Sequence, residues 1–116
     1  MKKEISDKVR INHILDAITE IELYISNSTF DDFKRNSMMH FACIKQLEII
    51  GEATNHISDT IQQSYPDLQW REIIGLRNIL VHDYFGVDVN VIWNIVKKDI
   101  PVFKIKIEKI YNSLVP

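Results

Sequence analysis

The chain has 116 residues, of which 46% are hydrophobic and 26% are charged, as is usual for a globular protein with one core. Its formal net charge of −2 excludes a protein coated in basic residues, although a local basic groove between Lys97 and Lys109 stays open. The single cysteine, Cys43, excludes an internal disulfide, and no apolar run approaches the roughly 18 residues that span a bilayer. We therefore expect one cytoplasmic domain over residues 1–116, without a membrane segment.

Helical spacing of apolar residues dominates the first third of the chain. Ser6 is placed to cap a first helix with one apolar stripe, formed by Val9, Ile14, Leu15, Ile18, Ile21 and Ile25. The stretch SNST ends this helix. Thr29 followed by Asp32 predicts a capping box. A short extra helix holding Phe30 and Phe33 should begin there.

Three longer helices are predicted to follow. The second stops before Pro66, and its apolar positions are Cys43, Leu47, Ile50, Ala53, Ile57 and Ile61. The third runs from about Asp67 to near Gly86. Asp88 can cap the fourth, whose apolar positions are Ile92, Val96, Ile100, Phe103, Ile107, Ile110 and Leu114. The predicted fold class is an all-α, antiparallel four-helix bundle with short connections.

Two features disturb the fourth helix. Pro101 lacks an N–H and crowds the carbonyl one turn back, so it predicts a kink in this C-terminal helix. The stretch FKIKIE alternates like a strand, but the longer window favours a helix.

The third predicted helix carries unexpected polar residues in RNILVHDY, residues 77–84. On a helical wheel, Arg77 points out of the middle of the apolar face, within roughly 60° of its apolar neighbours. These neighbours are Trp70, Ile73, Ile74, Leu80, Val81 and Tyr84. Burying an unpaired guanidinium is costly, so a carboxylate or an anionic ligand should face Arg77.

Asn78 and His82 are one turn apart and share a neighbouring face. His82 lies roughly 140° from Arg77 on an ideal helix. A distorted last turn, or a second copy of the helix across a dimer interface, can bring both side chains to one site. Near a helix C-terminus, the protonated form of His82 is favoured.

An arginine beside such a histidine suits the cleavage of phosphodiesters. Arginine binds the non-bridging oxygens, and histidine moves a proton. RNA supplies its own nucleophile, the 2′-hydroxyl, so the reaction needs neither a metal nor a protein nucleophile. Both an acid and a base help such a cleavage, and a symmetric dimer would bring two histidines together.

Arg77, His82 and Tyr84 match the R-x4-H-x-Y signature, and the chain resembles the HepT-like toxins, a branch of the HEPN ribonucleases. The resemblance extends to PDLQWREIIGLRNILVHDYFGVD, VIWNIVKKDIP and QLEIIGEATNHIS, which together cover nearly the whole chain.

The resemblance implies a metal-independent endoribonuclease, the toxin of a type II-like toxin–antitoxin pair, with its active site at a homodimer interface. Arg77 and His82 would be catalytic, Asn78 supporting, and Tyr84 an RNA contact. A minimal nucleotidyltransferase antitoxin would be the partner, able to transfer AMP to Tyr84. We also expect Glu52 to support Arg77, and we expect no cofactor and no metal.

Simpler interpretations remain open for each residue. Arg77 can form an internal ion pair with Glu48 or Glu52, and Glu52 can be a solvated helix residue. Asn78 can satisfy backbone groups, His82 can cap the helix end, and Tyr84 can be a core aromatic. The spacing of His13, His40, Cys43 and His56 matches no metal motif.

Two other functions also remain open. The first is a non-catalytic module that binds a nucleotide or a partner. The second is a structural dimerisation bundle.

Overall fold

The computed structural model describes residues 6–82 and 88–114, with only the backbone for residues 77–82. Its helices are α1 (Asp7–Ile25), α2 (Phe30–Arg35), α3 (Ser37–Asn55), α4 (Asp59–Ser64), α5 (Trp70–His82), α6 (Val89–Asn94), a π-helical segment (Ile95–Asp99) and α7 (Ile100–Ser113). The described residues contain no β-strand. The all-α class is therefore confirmed, whereas the antiparallel four-helix arrangement stays a prediction.

The predicted helix starts are confirmed by side-chain caps. The Ser6 hydroxyl accepts a hydrogen bond from the Val9 N–H at 3.3 Å, which satisfies a donor of the first turn of α1. At α2, Asp32 N–H donates to the Thr29 hydroxyl, and Thr29 N–H donates to the Asp32 carboxylate, so the capping box is complete. The Asp88 carboxylate accepts from the Asn90 N–H at the start of α6.

A continuous core joins the long helices, because α3 packs against both α1 and α5, and α7 packs against α1. Its fully buried large side chains are Ile11, Ile14, Ile18, Ile21, Phe33, Leu47, Ile50, Ile92, Ile100, Ile107 and Ile110. The predicted apolar stripe of the fourth helix is confirmed for every position from Ile92 to Ile110. In α1, however, Val9 is exposed and Ile11 is buried. Ile11 stands three and seven residues before Ile14 and Ile18, so it shares their face, which Val9 does not.

The predicted second helix is wrong in its length. α3 ends at Asn55, and a separate helix, α4, begins after Ser58. The Asp7 carboxylate accepts hydrogen bonds from both the Ser58 N–H, at 2.9 Å, and the Ser58 hydroxyl, at 2.8 Å. This contact from the start of α1 fixes Ser58 as the N-cap of α4 and interrupts the apolar periodicity that continues through Ile57 and Ile61.

The predicted third helix starts three residues later than expected, at Trp70 rather than Asp67. The backbone before this helix accepts hydrogen bonds from two side chains, one at the start of the helix and one on α7. The Trp70 indole N–H donates to the Tyr65 carbonyl at 2.9 Å, and the Lys106 ammonium donates to the Asp67 carbonyl at 3.1 Å. The predicted end of this helix, near Gly86, lies outside the described residues.

The disturbance predicted at Pro101 takes the form of a wider turn. The π-helical segment Ile95–Asp99 precedes α7, and the Ile100 N–H donates to the Ile95 carbonyl, five residues back. Pro101 lies within the first two positions of α7. Because proline lacks an N–H, it fits there without leaving an unpaired donor, and the wider turn gives its ring room.

Candidate functional site

The predicted site residues fall mostly outside the described side chains. Arg77, Asn78 and His82 belong to α5, but only their backbone is described. Tyr84 lies outside the described residues. Glu52, on α3, is the one predicted site residue whose side chain the structure describes. Because α3 packs against α5, Glu52 stands on the helix that supports the motif.

Glu52 lines an open cleft of about 370 Å³ between α1 and α3. The other lining residues that the structure describes are Arg10 and His13 from α1, and Lys45, Glu48, Ile49 and Ala53 from α3. This volume falls within the range of about 300–1,000 Å³ that is usual for small-molecule sites. The cleft exists because two amphipathic helices pack through their apolar stripes and leave polar side chains along the rim of the contact.

The two carboxylates of the cleft have basic partners one turn away along the chain. The Glu52 carboxylate lies 3.0 Å from Nε2 of His56, the residue that follows α3, and about half of the Glu52 side chain is exposed. The Glu48 carboxylate lies 3.9 Å from the Lys45 ammonium, one turn earlier. Such pairs at helical spacing stabilise the helix weakly, by about 0.2–0.5 kcal/mol each.

Among the described side chains, Arg10 carries a buried donor that has no hydrogen-bond partner. Its side chain makes neither an ion pair nor a hydrogen bond with the described residues, and its Nε is sealed from solvent without a partner. By contrast, Lys104 pairs with Glu22 at 3.0 Å, and Lys106 donates to a carbonyl. An unpaired buried donor costs about 1–3 kcal/mol. Arg10 is therefore held in the cleft at an energetic cost.

Sequence reasoning missed Arg10 and considered His13 only as a metal ligand, which its spacing did not support. The spacing of Arg10 and His13 could have indicated a shared site, because residues three apart lie on one side of a helix. What the sequence did not contain was the packing of α1 on α3, which brings these two residues to Glu48 and Glu52. The cleft thus combines a guanidinium, an imidazole and carboxylates, which can bind an anion and exchange protons.

The remaining histidines and the cysteine have other surroundings. The His40 ring packs against Phe33, with ring centroids 5.7 Å apart, while His56 pairs with Glu52. Burial raises the pKa of the Cys43 thiol to about 11, so this thiol stays protonated near neutral pH. Across residues 6–82 and 88–114, no three acidic, histidine or cysteine side chains are grouped so that they could hold a metal ion.

Among the helices that the structure describes, none combines the length and the apolar character required to cross a bilayer.

Comparison with known proteins identifies the class. Residues 14–110 match the family described as Ribonuclease HepT-like. This span covers most of the chain and contains Arg77, His82 and Tyr84. The chain therefore belongs to the HepT-like ribonuclease family, as its motif predicted, and its class of enzyme is a ribonuclease.

The individual relatives agree with the family. The chain is 43% identical over 105 residues to "Probable ribonuclease HepT" of Thermococcus cleftensis, covering 90% of this chain and 96% of that protein. It is 38% identical over 101 residues to "Putative RNase MJ1380" of Methanocaldococcus jannaschii, covering 87% and 93%. A longer protein of the same archaeon, "Gamma-glutamylcyclotransferase and putative RNase MJ0434", is 40% identical over 114 residues, which are 98% of this chain and 50% of that protein. No solved structure matches the chain.

Proposed function

We propose that the protein is a metal-independent endoribonuclease that acts as the toxin of a type II-like toxin–antitoxin pair in the cytoplasm. The observation that carries this proposal is the family match over residues 14–110, which includes the complete R-x4-H-x-Y motif. The cleft adds support, because Glu52 and other polar residues that line it stand on α3, and the motif helix packs against α3.

In the proposed reaction, the 2′-hydroxyl of the RNA attacks the adjacent phosphorus, and the bond from phosphorus to the 5′-oxygen breaks. A base takes the proton of the 2′-hydroxyl, and an acid gives a proton to the leaving 5′-oxygen. The products are a 2′,3′-cyclic phosphate and a 5′-hydroxyl. Since the substrate provides the nucleophile, no metal-bound water is required.

Each motif residue has a role in this scheme. Arg77 stabilises the charge that builds up on the non-bridging oxygens, through its planar and permanently charged guanidinium. His82 acts as the acid or the base, because an imidazole can take up or release a proton near neutral pH. Asn78 and Glu52 support these two residues by orienting them.

We propose a homodimer, so that two copies of the motif supply both an acid and a base. An exposed apolar surface on α3 supports this assembly. Met38 is 78% exposed and Phe41 is 43% exposed. Both lie on the same side of α3 as Glu52, because 38, 41, 45 and 52 repeat at helical intervals. A second subunit that covers these residues would bring the two clefts close together.

The proposed regulator is a nucleotidyltransferase antitoxin that modifies Tyr84. The phenolic oxygen would attack the α-phosphorus of ATP, lose its proton, and release pyrophosphate. A bulky anion on Tyr84 would then repel the RNA backbone from the motif.

The catalytic assignment is tested with purified protein and total RNA in EDTA. We expect the parent to cleave RNA and to sediment as a dimer. His82→Ala should lower the rate by about 10²–10⁴-fold, because a proton-transfer group is lost. Arg77→Ala should lower it by about 10²–10³-fold, because charge stabilisation is lost. Arg71→Ala is the matched control, since Arg71 is an exposed arginine of the same helix.

The proposal is wrong if folded, dimeric His82→Ala cleaves RNA as fast as the parent. Cleavage that EDTA abolishes and added Mg²⁺ restores would contradict the metal-independent reaction. A parent that binds a partner tightly but leaves RNA intact would instead indicate a binding module.

Modification of Tyr84 is tested by mass spectrometry after incubation with the partner enzyme and ATP. We expect the mass to increase by one or more AMP groups and cleavage of RNA to fall in proportion. Tyr84→Phe, which lacks the attacking oxygen, should keep its original mass. An unmodified parent in the presence of an active partner enzyme would contradict this regulation.

A further inference from the structure

The cleft between α1 and α3 contains two cations that the catalytic scheme does not use, Arg10 and Lys45. Arg10 lines this cleft from α1, whereas the motif residues belong to α5. Because both helices pack on α3, a ligand in the cleft lies against the helix that also supports the motif helix.

The pairing of the charges around Arg10 favours an anion. The Glu48 carboxylate pairs with Lys45, and the Glu52 carboxylate has the His56 ring beside it, which is charged only when it is protonated. No comparable partner is present for Arg10 among the described side chains. Lys45 and His13 line the same cleft and add a second cation and a group that can be protonated. Arg10 and Lys45 balance Glu48 and Glu52 in formal charge, and Arg10 is the member of this set without a partner among the described side chains.

The buried Nε of Arg10 also favours an anionic ligand, because this donor has no hydrogen-bond acceptor. Buried donors in native proteins almost always have a partner, and an exception calls for a ligand, an ion or a functional reason. A guanidinium presents Nε and one terminal nitrogen as two parallel donors, a geometry that matches two oxygens of a phosphate. Because Nε is sealed from solvent, an anionic oxygen in the cleft would supply its missing acceptor only after the Arg10 side chain turns towards the ligand.

We propose that Arg10 binds a non-scissile backbone phosphate of the RNA, with Lys45 contributing at the rim. This inference rests on the proposed function for the identity of the ligand, and it adds a second, positioning contact to the strand. Arg77 would hold the phosphate that reacts, and Arg10 would hold another phosphate of the same strand. The cleft then determines how the RNA lies across α3 before cleavage.

Binding is measured with a single-stranded RNA whose 2′-hydroxyls are all methylated, so that it cannot be cleaved. We expect Arg10→Ala to weaken binding at least tenfold. It should also lower the slope of log K against log salt by about 0.7, the change for one phosphate contact on a single strand. Arg10→Lys keeps the charge without the fork and should bind with intermediate affinity. Arg71→Ala, which removes an exposed arginine elsewhere, should change the affinity less than twofold.

Thermal unfolding separates a binding role from a structural one. Arg10 has no partner among the described side chains, so we expect Arg10→Ala and Arg10→Met to unfold at the parent's temperature or above it. Arg10→Met keeps an apolar side chain of similar length to the arginine stem. If Arg10→Ala destabilises α1 through its shorter side chain, Arg10→Met takes its place in the binding assay. A clear fall in stability for both variants would assign Arg10 to the scaffold and overturn the inference.

The binding results are read together with the cleavage of unmodified RNA. If the parent cleaves RNA but the folded Arg10 variants bind the methylated strand with unchanged affinity and salt slope, the inference fails while the ribonuclease stands. If the variants lose binding but the parent cleaves nothing, Arg10 is a phosphate contact in a protein that is not a nuclease. If polyglutamate binds through Arg10 and the RNA does not, the cleft recognises acidic protein, and the inference is again wrong.

Discussion

At the scale of single residues, the capping box of α2 shows how local chemistry sets a pKa. The Thr29 N–H and the Thr29 hydroxyl both form hydrogen bonds in this box, with the N–H donating to the Asp32 carboxylate at 2.9 Å. The backbone hydrogen bond from Thr29, followed by the Thr29 side chain, lowers the pKa of Asp32 below its ordinary value. The ionised carboxylate is therefore the form that stabilises the start of α2.

The capping box has a definite dependence on pH. Because the pKa of Asp32 is lower in the folded state, its contribution to stability is complete above the unfolded pKa of about 4 and disappears as the pH falls through the folded value. We expect Asp32→Asn to be less stable than the parent at pH 7, and the difference to shrink steadily below about pH 4. Urea unfolding of both proteins at several pH values measures this difference. A difference that is constant from pH 7 down to pH 2 would contradict an electrostatic role.

At the scale of elements, α5 contains a glycine that its surroundings do not require. Gly75 lies in the middle of the helix with a negative φ, and a Cβ added there would meet no atom from the other described elements within 4 Å. Glycine in a helix interior costs roughly 0.5–1 kcal/mol relative to alanine. We expect Gly75→Ala to raise the free energy of unfolding by about that amount, measured in urea at a protein concentration where the chain is monomeric.

Gly75→Ala also tests the proposed dimer. The open space at Gly75 can admit a helix of a second subunit, since small residues permit close approach of two helices. If the dimer uses this space, Gly75→Ala should weaken dimerisation in sedimentation while still stabilising the monomer. A variant that is less stable as a monomer would show that the space at Gly75 is filled within one chain.

The sequence predicted the helices well where the signals were local. Ser6, Thr29 and Asp88 each cap a helix within three residues of themselves, so their chemistry is visible in a short window. The break between α3 and α4 could not be predicted in this way, because the carboxylate that fixes Ser58 comes from Asp7, 51 residues away. The cleft was missed for the same reason. The helical wheel gives the face of α1 that carries Arg10, but not the helix against which that face lies.

At the scale of the whole molecule, the contact between Asp7 and Ser58 ties the start of α1 to the start of α4. Two hydrogen bonds to one partly buried carboxylate form this contact, at 2.8 Å and 2.9 Å. A second contact, from the Tyr65 hydroxyl to the Ser113 hydroxyl at 2.9 Å, ties the segment after α4 to the end of α7. Segments far apart in the chain are thus joined by specific hydrogen bonds as well as by the core.

We expect Asp7→Ala to lower the free energy of unfolding by about 1–3 kcal/mol, the usual effect of losing hydrogen bonds to a charged group. Asp16→Ala, which removes an exposed carboxylate of the same helix, should change it by less than about 0.5 kcal/mol. Urea unfolding followed by circular dichroism measures both. Equal stabilities for the two variants would mean that the contact contributes little to the folded state.

The wider turn at Ile95–Asp99 has a consequence for comparing this chain with its relatives. Ile92, Val96 and Ile100 follow one another at intervals of four residues, and all three face the core. In a regular α-helix, residues at this interval gradually rotate around the helix axis and do not stay on one face. The wider turn absorbs this rotation by using more residues per revolution. A homologue that builds the same helix without it would need one residue fewer between the positions of Asn94 and Ile100. Alignments that forbid a gap there would shift every later core position by one.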